Sequence, residues 1–396
     1  MLIYWLLFLS FGFLALVIKQ REPLSNVNSN SAFNIENLEW GIIRNILFVV
    51  IAIFIGFRMD VGGDFGQYRY IYSEFLDEGF IRSVLPRLDS TLDPGFGLIN
   101  WIVHQFDADD GIYWNYFIRK GGFIYVNFIG ALIFSYFFIK FIFSLERPFL
   151  ALSISFPYLI LVVAMGYVRQ GIALGIISYA LIVLGRKQFI FFTTLIIFAA
   201  TIHKSAVLFL PILFFTLSVN RFFLFIGVVT LGSLLYLVLI ATHVESLVSN
   251  YVEYEFSSAG AIVRLGMMLP PAFIFLKYKA FFSFNLIQEK IWMYCAAVSI
   301  VLFFLAITIA SNNTTALDRI GLYFLLMQVV IFSKLPDLFP LKERPYIILL
   351  ILIYYFLILF TWLFFADNSH AWLPYKNILF MDHSAINYLI KNPTLL

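Results

Sequence analysis

The chain is a succession of long apolar runs separated by short polar turns. A helix needs about 20 apolar residues to cross a bilayer, and runs of about 15 to 22 such residues recur throughout. The pattern predicts twelve spans, near residues 2–18, 41–57, 122–143, 148–165, 170–184, 188–201, 205–218, 222–241, 261–277, 291–310, 319–333 and 345–366. The sixth and seventh runs are short, and we expect them to be tilted, broken or paired. The fold class is therefore an all-α polytopic membrane protein with about twelve transmembrane helices, forming one integral membrane domain over residues 1–396.

Composition supports the membrane class. The chain is 62% hydrophobic and 12% charged, whereas soluble domains are about 25% charged. The first run lacks a basic segment before it and a small-residue cleavage site after it, so we interpret it as a retained span and not a signal peptide. The single cysteine, Cys295, excludes an intramolecular disulfide and a cysteine-based metal cluster. No metal site, cofactor or nucleic-acid partner is predicted, and no P-loop or dinucleotide fingerprint is present.

Basic residues accumulate in alternate turns, as expected for turns that face the cytoplasm. This set comprises Lys19, Arg21, Lys140, Arg147, Arg186, Lys187, Arg221, Lys277, Lys279, Lys290, Lys334, Lys342 and Arg344. The alternation stays in phase through all twelve predicted spans. It predicts that both termini lie outside.

Three outer segments follow from this orientation. Residues 58–121 form a first large outer (periplasmic) loop, residues 242–260 a second outer loop, and residues 367–396 an outer tail. Within the first loop, DPGFGLINWIVHQF (93–106) is apolar but too short to cross. We expect it to form a re-entrant or interfacial helix. Irregular chain at membrane depth is tolerated only against protein or water, so this loop is predicted to line a cavity.

Ionisable residues, in one case with a polar neighbour, also occur at the predicted outer ends of five spans, set directly against apolar sequence. They are Arg58, Arg169 with Gln170, His203 with Lys204, Arg264, and Asp318 with Arg319. Each alone has an ordinary interpretation as a snorkelling cation or a structural ion pair. Together they predict a shared anion site. Phosphate or pyrophosphate at the membrane surface fits best, because arginine binds phosphate oxygens bidentately and lysine adds point charge.

Side chains able to move protons lie near these cations. Asp60, Asp64 and His203 are candidate catalytic residues, since a carboxylate or a histidine can act as general base toward a sugar hydroxyl. Asp318 is more typical of a salt-bridge partner for a neighbouring arginine. Tyr68, in the stretch FRMDVGGDFGQYRYIY (57–72), could stack on a sugar ring, although interfacial anchoring is the ordinary role of tyrosine at such a position.

The chain resembles a known family through several of these stretches. In order they are FRMDVGGDFGQY, DPGFGLINWIV, VRQGIAL, ATIHKSAVLFLP, LDRIGLYFLL and the C-terminal LPYKNILF. In this combination they resemble the EpsG-type Wzy polymerases, which extend bacterial exopolysaccharide, capsule or O-antigen chains. Gly63 departs from the pattern, because the family more often has a small hydroxyl residue there.

The resemblance implies a GT-C-like, metal-independent glycosyltransferase in the bacterial cytoplasmic (inner) membrane, with its active face periplasmic or extracellular. Such proteins transfer a growing glycan from undecaprenyl pyrophosphate onto the next lipid-linked repeat unit. The implied partners are the undecaprenyl-pyrophosphate-linked oligosaccharide, the lipid bilayer, a chain-length regulator and a flippase. Four cations would then neutralise the pyrophosphate leaving group, namely Arg58, Arg169, Lys204 and Arg319. Arg264 is an additional candidate for the same cluster.

Two other functions compete with this one. An O-antigen ligase would use the same donor with a lipid A core acceptor. A transporter or flippase of lipid-linked glycans would carry charge along its spans and open to both faces. Here the charge is concentrated at one predicted face, which favours an enzyme.

Overall fold

The computed structural model describes residues 1–18, 35–73, 93–107, 113–217, 226–227, 230, 233, 260–308 and 314–381. Over these residues the regular elements are helices, joined by one isolated β-bridge between Arg58 and Asn377. The α-helices are α1 (Leu2–Val17), α2 (Ile35–Gly56), α3 (Phe65–Ser73), α4 (Pro94–Asp107), α5 (Tyr113–Ile142), α6 (Pro148–Ser155), α7 (Val168–Gly185), α8 (Phe189–Ile202), α9 (Pro211–Thr216), α10 (Ala261–Gly266), α11 (Leu269–Tyr278), α12 (Leu286–Thr308), α13 (Thr314–Phe324), α14 (Leu326–Lys334) and α15 (Arg344–Phe365).

The helices confirm the all-helical, multi-pass class. Among the described residues, seven helical segments are long and apolar enough to cross a membrane: Leu38–Gly56, Gly122–Ile142, Val168–Gly185, Ala261–Phe281, Leu286–Thr308, Leu317–Leu338 and Arg344–Phe365. Four shorter apolar segments are Leu2–Val17, Pro148–Ala164, Phe189–Ile202 and Lys204–Thr216. The predicted eighth span, 222–241, lies largely outside the described residues, as does the second outer loop. The total of twelve spans and the GT-C-like architecture remain predictions.

The sixth and seventh runs are paired short helices, as their length predicted. Helix α8 ends at Ile202, and His203 adopts an extended conformation with φ −151° and ψ 108°. A 3₁₀ helix, Lys204–Phe209, then leads into α9 and packs back against α8. Pro211 occupies the first turn of α9, where its missing N–H costs no hydrogen bond. This reversal places His203 and Lys204 at one end of the bundle.

Among the described residues, predicted outer residues such as Arg319 and predicted inner residues such as Arg147 belong to two different ends of the bundle. One end, here called the site end, joins the start of α7 to α13 through a hydrogen bond from Gln170 Nε2 to the Arg319 carbonyl oxygen, at 2.6 Å. At the other end, Arg147 and Arg344 both contact the Asp337 carboxylate, at 2.6 and 3.0 Å. Which end faces the cytoplasm remains a prediction.

Helix α7 is the centre of the bundle. Its apolar window is 83% buried, against 33% for the peripheral α15. The Gly171 and Gly175 pair allows this close packing. A Cβ at Gly175 would lie 2.9 Å from the Phe134 Cα of α5, and one at Gly171 would lie 2.8 Å from the Ala164 Cα. Small residues at four-residue spacing thus let helix backbones approach closely inside the bundle.

The C-terminal segment, residues 366–381, holds the stretch that follows α2. Gly62 N donates to the Ala371 carbonyl oxygen at 2.8 Å, and Met59 N donates to that of Lys376 at 3.0 Å. Trp372 anchors the segment, because its Nε1 donates to the Leu161 carbonyl oxygen at 2.8 Å. Leu161 lies in a π-helix, Phe156–Ala164, a form often found at functional sites. The chain from Phe57 to Asp64 is therefore held at the site end.

The predicted short helix of the first outer loop is present as α4, which begins at Pro94 and packs against α5 and α8. Phe96 is fully buried. Asn100 Nδ2 donates to the Phe96 carbonyl oxygen at 2.8 Å within the helix. Helix α4 brings the residue before it, Asp93, against the start of α7.

Candidate functional site

A buried carboxylate, Asp93, is the centre of the site. It immediately precedes α4 and is 2% exposed. Arg169, in the first turn of α7, donates from Nη1 to Asp93 Oδ2 at 3.1 Å and from Nε to the Tyr68 hydroxyl oxygen at 3.2 Å. The Tyr68 ring packs edge-on against Phe96. Arg169 therefore joins α3, α4 and α7 at one point.

His203 faces the same carboxylate. Its Nδ1 lies 3.7 Å from Asp93 Oδ2, longer than a hydrogen bond but within ion-pair range. Burial lowers the pKa of His203 below its ordinary value, and the Asp93 carboxylate offsets this only in part. The imidazole is therefore neutral at neutral pH. A neutral imidazole can accept a proton.

Arg319 is an accessible cation beside Asp64. Its guanidinium lies 4.2 Å from the centre of the Tyr167 ring, which it covers, and its side chain is 41% exposed. Its Nη1 lies 3.9 Å from Asp64 Oδ2. An arginine on an aromatic face keeps a defined position while its N–H groups stay available. Arg319 thus keeps N–H donors that are accessible to a ligand.

Asp64 is the carboxylate beside this arginine. Its backbone N–H donates to the Gly166 carbonyl oxygen at 3.3 Å, which fixes it next to the turn before α7. Burial raises the pKa of the Asp64 carboxyl above its ordinary value, although Arg319, Arg169 and His203 act in the opposite direction. A raised pKa suits a general base that works near neutral pH.

Gln170 ties the two arginine-bearing helices together. The donation from its Nε2 to the Arg319 carbonyl oxygen links α7 to α13. The Gln170 side chain is 2% exposed, and its Oε1 has no hydrogen-bond partner among the described residues. A buried amide oxygen without a partner is costly. The hydrogen bond from Gln170 Nε2 to the Arg319 backbone sets the spacing of Arg169 and Arg319.

Arg264 and Asp318 form a pair of their own. Arg264 donates from Nε and Nη2 to the two carboxylate oxygens of Asp318, both at 2.7 Å. Asp318 is 5% exposed. The sequence-based interpretation of Asp318 as a salt-bridge partner is confirmed. The two-pronged side of the Arg264 guanidinium is occupied by this carboxylate.

Arg58 and Asp60 are placed differently from the other predicted residues. Arg58 is 1% exposed and donates to the Ile55 and Val61 carbonyl oxygens at 2.5 and 2.9 Å. Burial lowers the pKa of Arg58 to about 10, so it stays protonated at neutral pH. Its donors hold the backbone around the end of α2. Asp60 lies 3.6 Å from Lys376 of the C-terminal segment.

We define the arginine site as the group that these contacts bring together: Asp64, Tyr68, Asp93, Arg169, His203 and Arg319. Lys204, half-buried, adjoins it at the start of the 3₁₀ helix. Asp93 was not among the predicted site residues. Its signal was the position directly before a proline-initiated helix, where aspartate is favoured as N-cap and can face a ligand or cation.

With Asp64 ionised, Arg169, Arg319 and Lys204 outnumber Asp64 and Asp93 by one charge. The site therefore favours an anionic group beside Arg319, next to a proton acceptor. Hydrogen bonds from arginine to phosphate oxygens are short and strong in such partly dry surroundings. This arrangement can stabilise a phosphate leaving group while a nearby carboxylate takes a proton.

The fold and site define a multi-pass helical membrane protein with an ionised site at one end of its bundle. The EpsG family model matches residues 41–377, which is most of the chain. The protein belongs to the EpsG family, a family of polysaccharide polymerase-like membrane proteins, and the resemblance predicted from sequence is confirmed. Comparisons with curated proteins and with solved structures gave no match.

Proposed function

We propose that this protein polymerises lipid-linked oligosaccharide repeat units at the outer face of the bacterial cytoplasmic membrane. The growing glycan is transferred from undecaprenyl pyrophosphate to the next lipid-linked repeat unit. Membership of the EpsG family supports a polymerase-like function. The observation that carries the proposal is the exposed Arg319 beside Asp64, with Arg169 behind it on α7.

The proposed step is a single displacement at each transfer. An acceptor hydroxyl oxygen attacks the anomeric carbon of the donor glycan and forms the new glycosidic bond. The bond from that carbon to the pyrophosphate oxygen breaks, and its electron pair leaves with undecaprenyl pyrophosphate. The hydroxyl proton passes to Asp64. Each transfer lengthens the growing glycan by one repeat unit and frees one carrier.

The cations act on the leaving group. Arg319 holds a pyrophosphate oxygen, and Arg169 and Lys204 add positive charge to the same region. Such stabilisation of developing charge is usually the largest catalytic contribution, and one donor contributes about 10²- to 10³-fold in rate. The positive charge of these side chains supports a transfer that needs no metal ion. Arg58 has its donors on protein carbonyls and shapes the loop that carries Asp64.

Asp64 is the proposed base because it combines a raised pKa with a position beside Arg319. His203 is the second candidate, since it is neutral and faces Asp93. A pH profile separates them. If Asp64 is the base, the acidic limb of the polymerisation rate disappears in Asp64→Asn and persists in His203→Gln, and the reverse result assigns His203.

A ligase and a flippase remain competing functions. A ligase would use the same cations with a different acceptor, so only an acceptor test separates it from a polymerase. A flippase should carry charge along its spans. In the described spans, Asp, Glu, Lys and Arg lie near the ends, with Arg44 toward the predicted inner end of α2. This distribution favours an enzyme.

The test is polymerisation of a lipid-linked repeat unit by purified protein in detergent with EDTA present. Wild type should form a ladder, and Arg319→Ala should lose most of it. The matched control is Lys279→Ala, which removes an exposed ion pair with Glu289 at the opposite end. A variant ladder equal to that of wild type overturns the role of Arg319. Transfer only to a lipid A core acceptor assigns a ligase, and movement of the lipid-linked unit across vesicles without transfer assigns a flippase.

A further inference from the structure

A cavity of about 490 Å³ lies beside the arginine site. One wall is α15, and the other is formed by the π-helix Phe156–Ala164 and by α10. Its volume falls within the range of pockets that hold small molecules. We call it the α15 groove.

The groove runs along the axis of α15. The helix contributes residues from a single face, at the helical spacing of three and four: Tyr354, Leu357, Ile358, Thr361, Trp362 and Phe365. With a rise of about 1.5 Å per residue, this face extends for roughly 16 Å. It begins near the middle of the helix and finishes at the site end. A long channel of this shape fits an extended chain better than a sugar.

The walls of the groove are apolar, and it opens sideways. Val263 is 67% exposed, Leu357 53% and Phe365 71% within the described part of the chain. These side chains lie on the surface of apolar segments long enough to cross a membrane. A groove open on this surface is accessible from the hydrocarbon of the bilayer. A hydrocarbon chain can therefore enter it without crossing water.

The polar end of the groove leads to the arginine site. Tyr167 and Arg264 line this end. Tyr167 carries the Arg319 guanidinium on its ring, and Arg264 is paired with Asp318, the neighbour of Arg319 in sequence. An amphipathic ligand with its chain in the groove would thus place its charged head at Arg319. Charge and hydrophobicity are arranged in the order that such a ligand requires.

We propose that the α15 groove binds the head-proximal isoprene units of a polyprenyl carrier whose phosphates contact Arg319. This assignment rests on the proposed function, which requires a polyprenyl pyrophosphate. On α15 the groove is lined by one face of the helix, beside the described group of cations around Arg319, and this matches one chain on one phosphorylated head. A diacyl phospholipid has two chains for one head and would leave one of them outside.

The test compares two tryptophan substitutions on α15. Thr361→Trp fills the groove, and Ile353→Trp is the matched control, because Ile353 is 47% exposed and does not line the cavity. Binding of undecaprenyl phosphate to the purified protein is measured by native mass spectrometry. Ile353→Trp should bind as wild type does, and Thr361→Trp should bind about tenfold more weakly or worse. Val263→Trp, on the opposite wall, should weaken binding too.

Two results overturn the assignment. The first is that the Thr361→Trp and Val263→Trp proteins both remain folded and bind undecaprenyl phosphate as wild type does. The other is equal competition by dioleoylphosphatidylglycerol, which would make the groove a general lipid site. A repeat unit whose pyrophosphate carries a methyl group in place of the polyprenyl chain provides a second readout. Its polymerisation should respond less to Thr361→Trp than that of the undecaprenyl-linked unit.

The two proposals fail in different ways. If wild type forms no ladder but binds undecaprenyl phosphate in a manner sensitive to Thr361→Trp, the groove stands and the polymerase does not. If wild type forms a ladder and the groove variants change neither binding nor KM, the polymerase stands and the groove does not.

Discussion

Arg169 donates to Asp93 over 3.1 Å, and this ion pair joins the first turn of α7 to the residue that precedes α4. The same arginine reaches the Tyr68 hydroxyl oxygen of α3. A short outer helix and a loop are thereby attached to the most buried helix of the bundle. The contact explains how a long outer loop contributes to a site built on membrane helices.

Asp93→Asn should lower both stability and activity. The substitution keeps the shape of the side chain but leaves Arg169 without the charge it faces, and a buried group that loses a charged partner costs about 1–3 kcal/mol. The free energy of unfolding in detergent and the polymerisation rate measure the two effects. Glu289→Gln is the control, because its exposed pair with Lys279 is worth less than about 1 kcal/mol. Equal effects of the two substitutions would contradict the central position of Asp93.

Asp64→Asn should stabilise the protein while it removes activity. The pKa of Asp64 is raised in the folded state, so as pH rises the unfolded chain loses this proton first. Stability from this group is therefore complete below the unfolded pKa and declines as pH rises through the folded pKa. An uncharged asparagine avoids this decline.

Thermal unfolding of wild type and Asp64→Asn between about pH 3 and pH 8 checks this sign, because this range extends from below the ordinary aspartate pKa of about 3.9 to above neutrality. The gain in melting temperature of the variant should grow toward the higher pH. A gain that shrinks with rising pH would show that the arginines, and not burial, determine the direction of the pKa shift of the Asp64 carboxyl.

Arg319→Lys should retain only part of the activity that Arg319→Ala loses. Lysine keeps the charge but lacks the planar fork that stacks on Tyr167 and that can bind two phosphate oxygens. We expect a loss of about 10²- to 10³-fold for alanine and an intermediate loss for lysine. Single-turnover rates with saturating donor measure this. Folding should change little, since Arg319 is among the more exposed charged residues of the site, and a large loss of thermal stability would contradict the assignment.

Much of this arrangement could be predicted from the sequence. The positions of Arg169, His203 and Arg319 at span ends followed from charge set against apolar runs. The short paired helices on either side of His203 followed from run length. These predictions succeed because a lipid-buried backbone must be helical, and because charge is confined to the ends of the helices.

The partners of the charges could not be predicted. Arg58 and Arg169 look alike in sequence, yet one donates to carbonyl oxygens at the end of α2 and the other to Asp93. Asp60 and Asp64 are four residues apart, and they face Lys376 and Arg319 respectively. These differences depend on how the loop and the C-terminal segment pack. Local patterns carry no information on such long-range contacts.

Arg264 and Asp318 should behave as one structural unit. Arg264→Leu alone removes the guanidinium that faces the buried Asp318 carboxylate, and breaking a buried pair costs about 3–5 kcal/mol. The double substitution Arg264→Leu with Asp318→Leu should recover most of that stability, because neither charge then remains buried. A double-mutant cycle on the free energy of unfolding measures the coupling. Coupling near zero would show that Arg264 acts independently of Asp318.

Trp372 should control the geometry of the site from the C-terminal segment. It is 2% exposed, and its Nε1 donates to the Leu161 carbonyl oxygen of the π-helix. Trp372→Ala should cost about 3–5 kcal/mol of stability, because it removes a large buried ring. Trp372→Phe keeps a ring but removes the donor, so it should cost less.

Phe380→Ala is the matched control for both Trp372 variants, since Phe380 lies in the same segment and is 84% exposed. The segment holds Met59 and Gly62 by backbone hydrogen bonds, so loosening it should displace Asp64 as well. We therefore expect Trp372→Phe to lower kcat more than it raises KM for the donor, with Phe380→Ala unchanged in both. A Trp372→Phe protein with normal kcat would show that the C-terminal segment stabilises the fold without positioning the carboxylate.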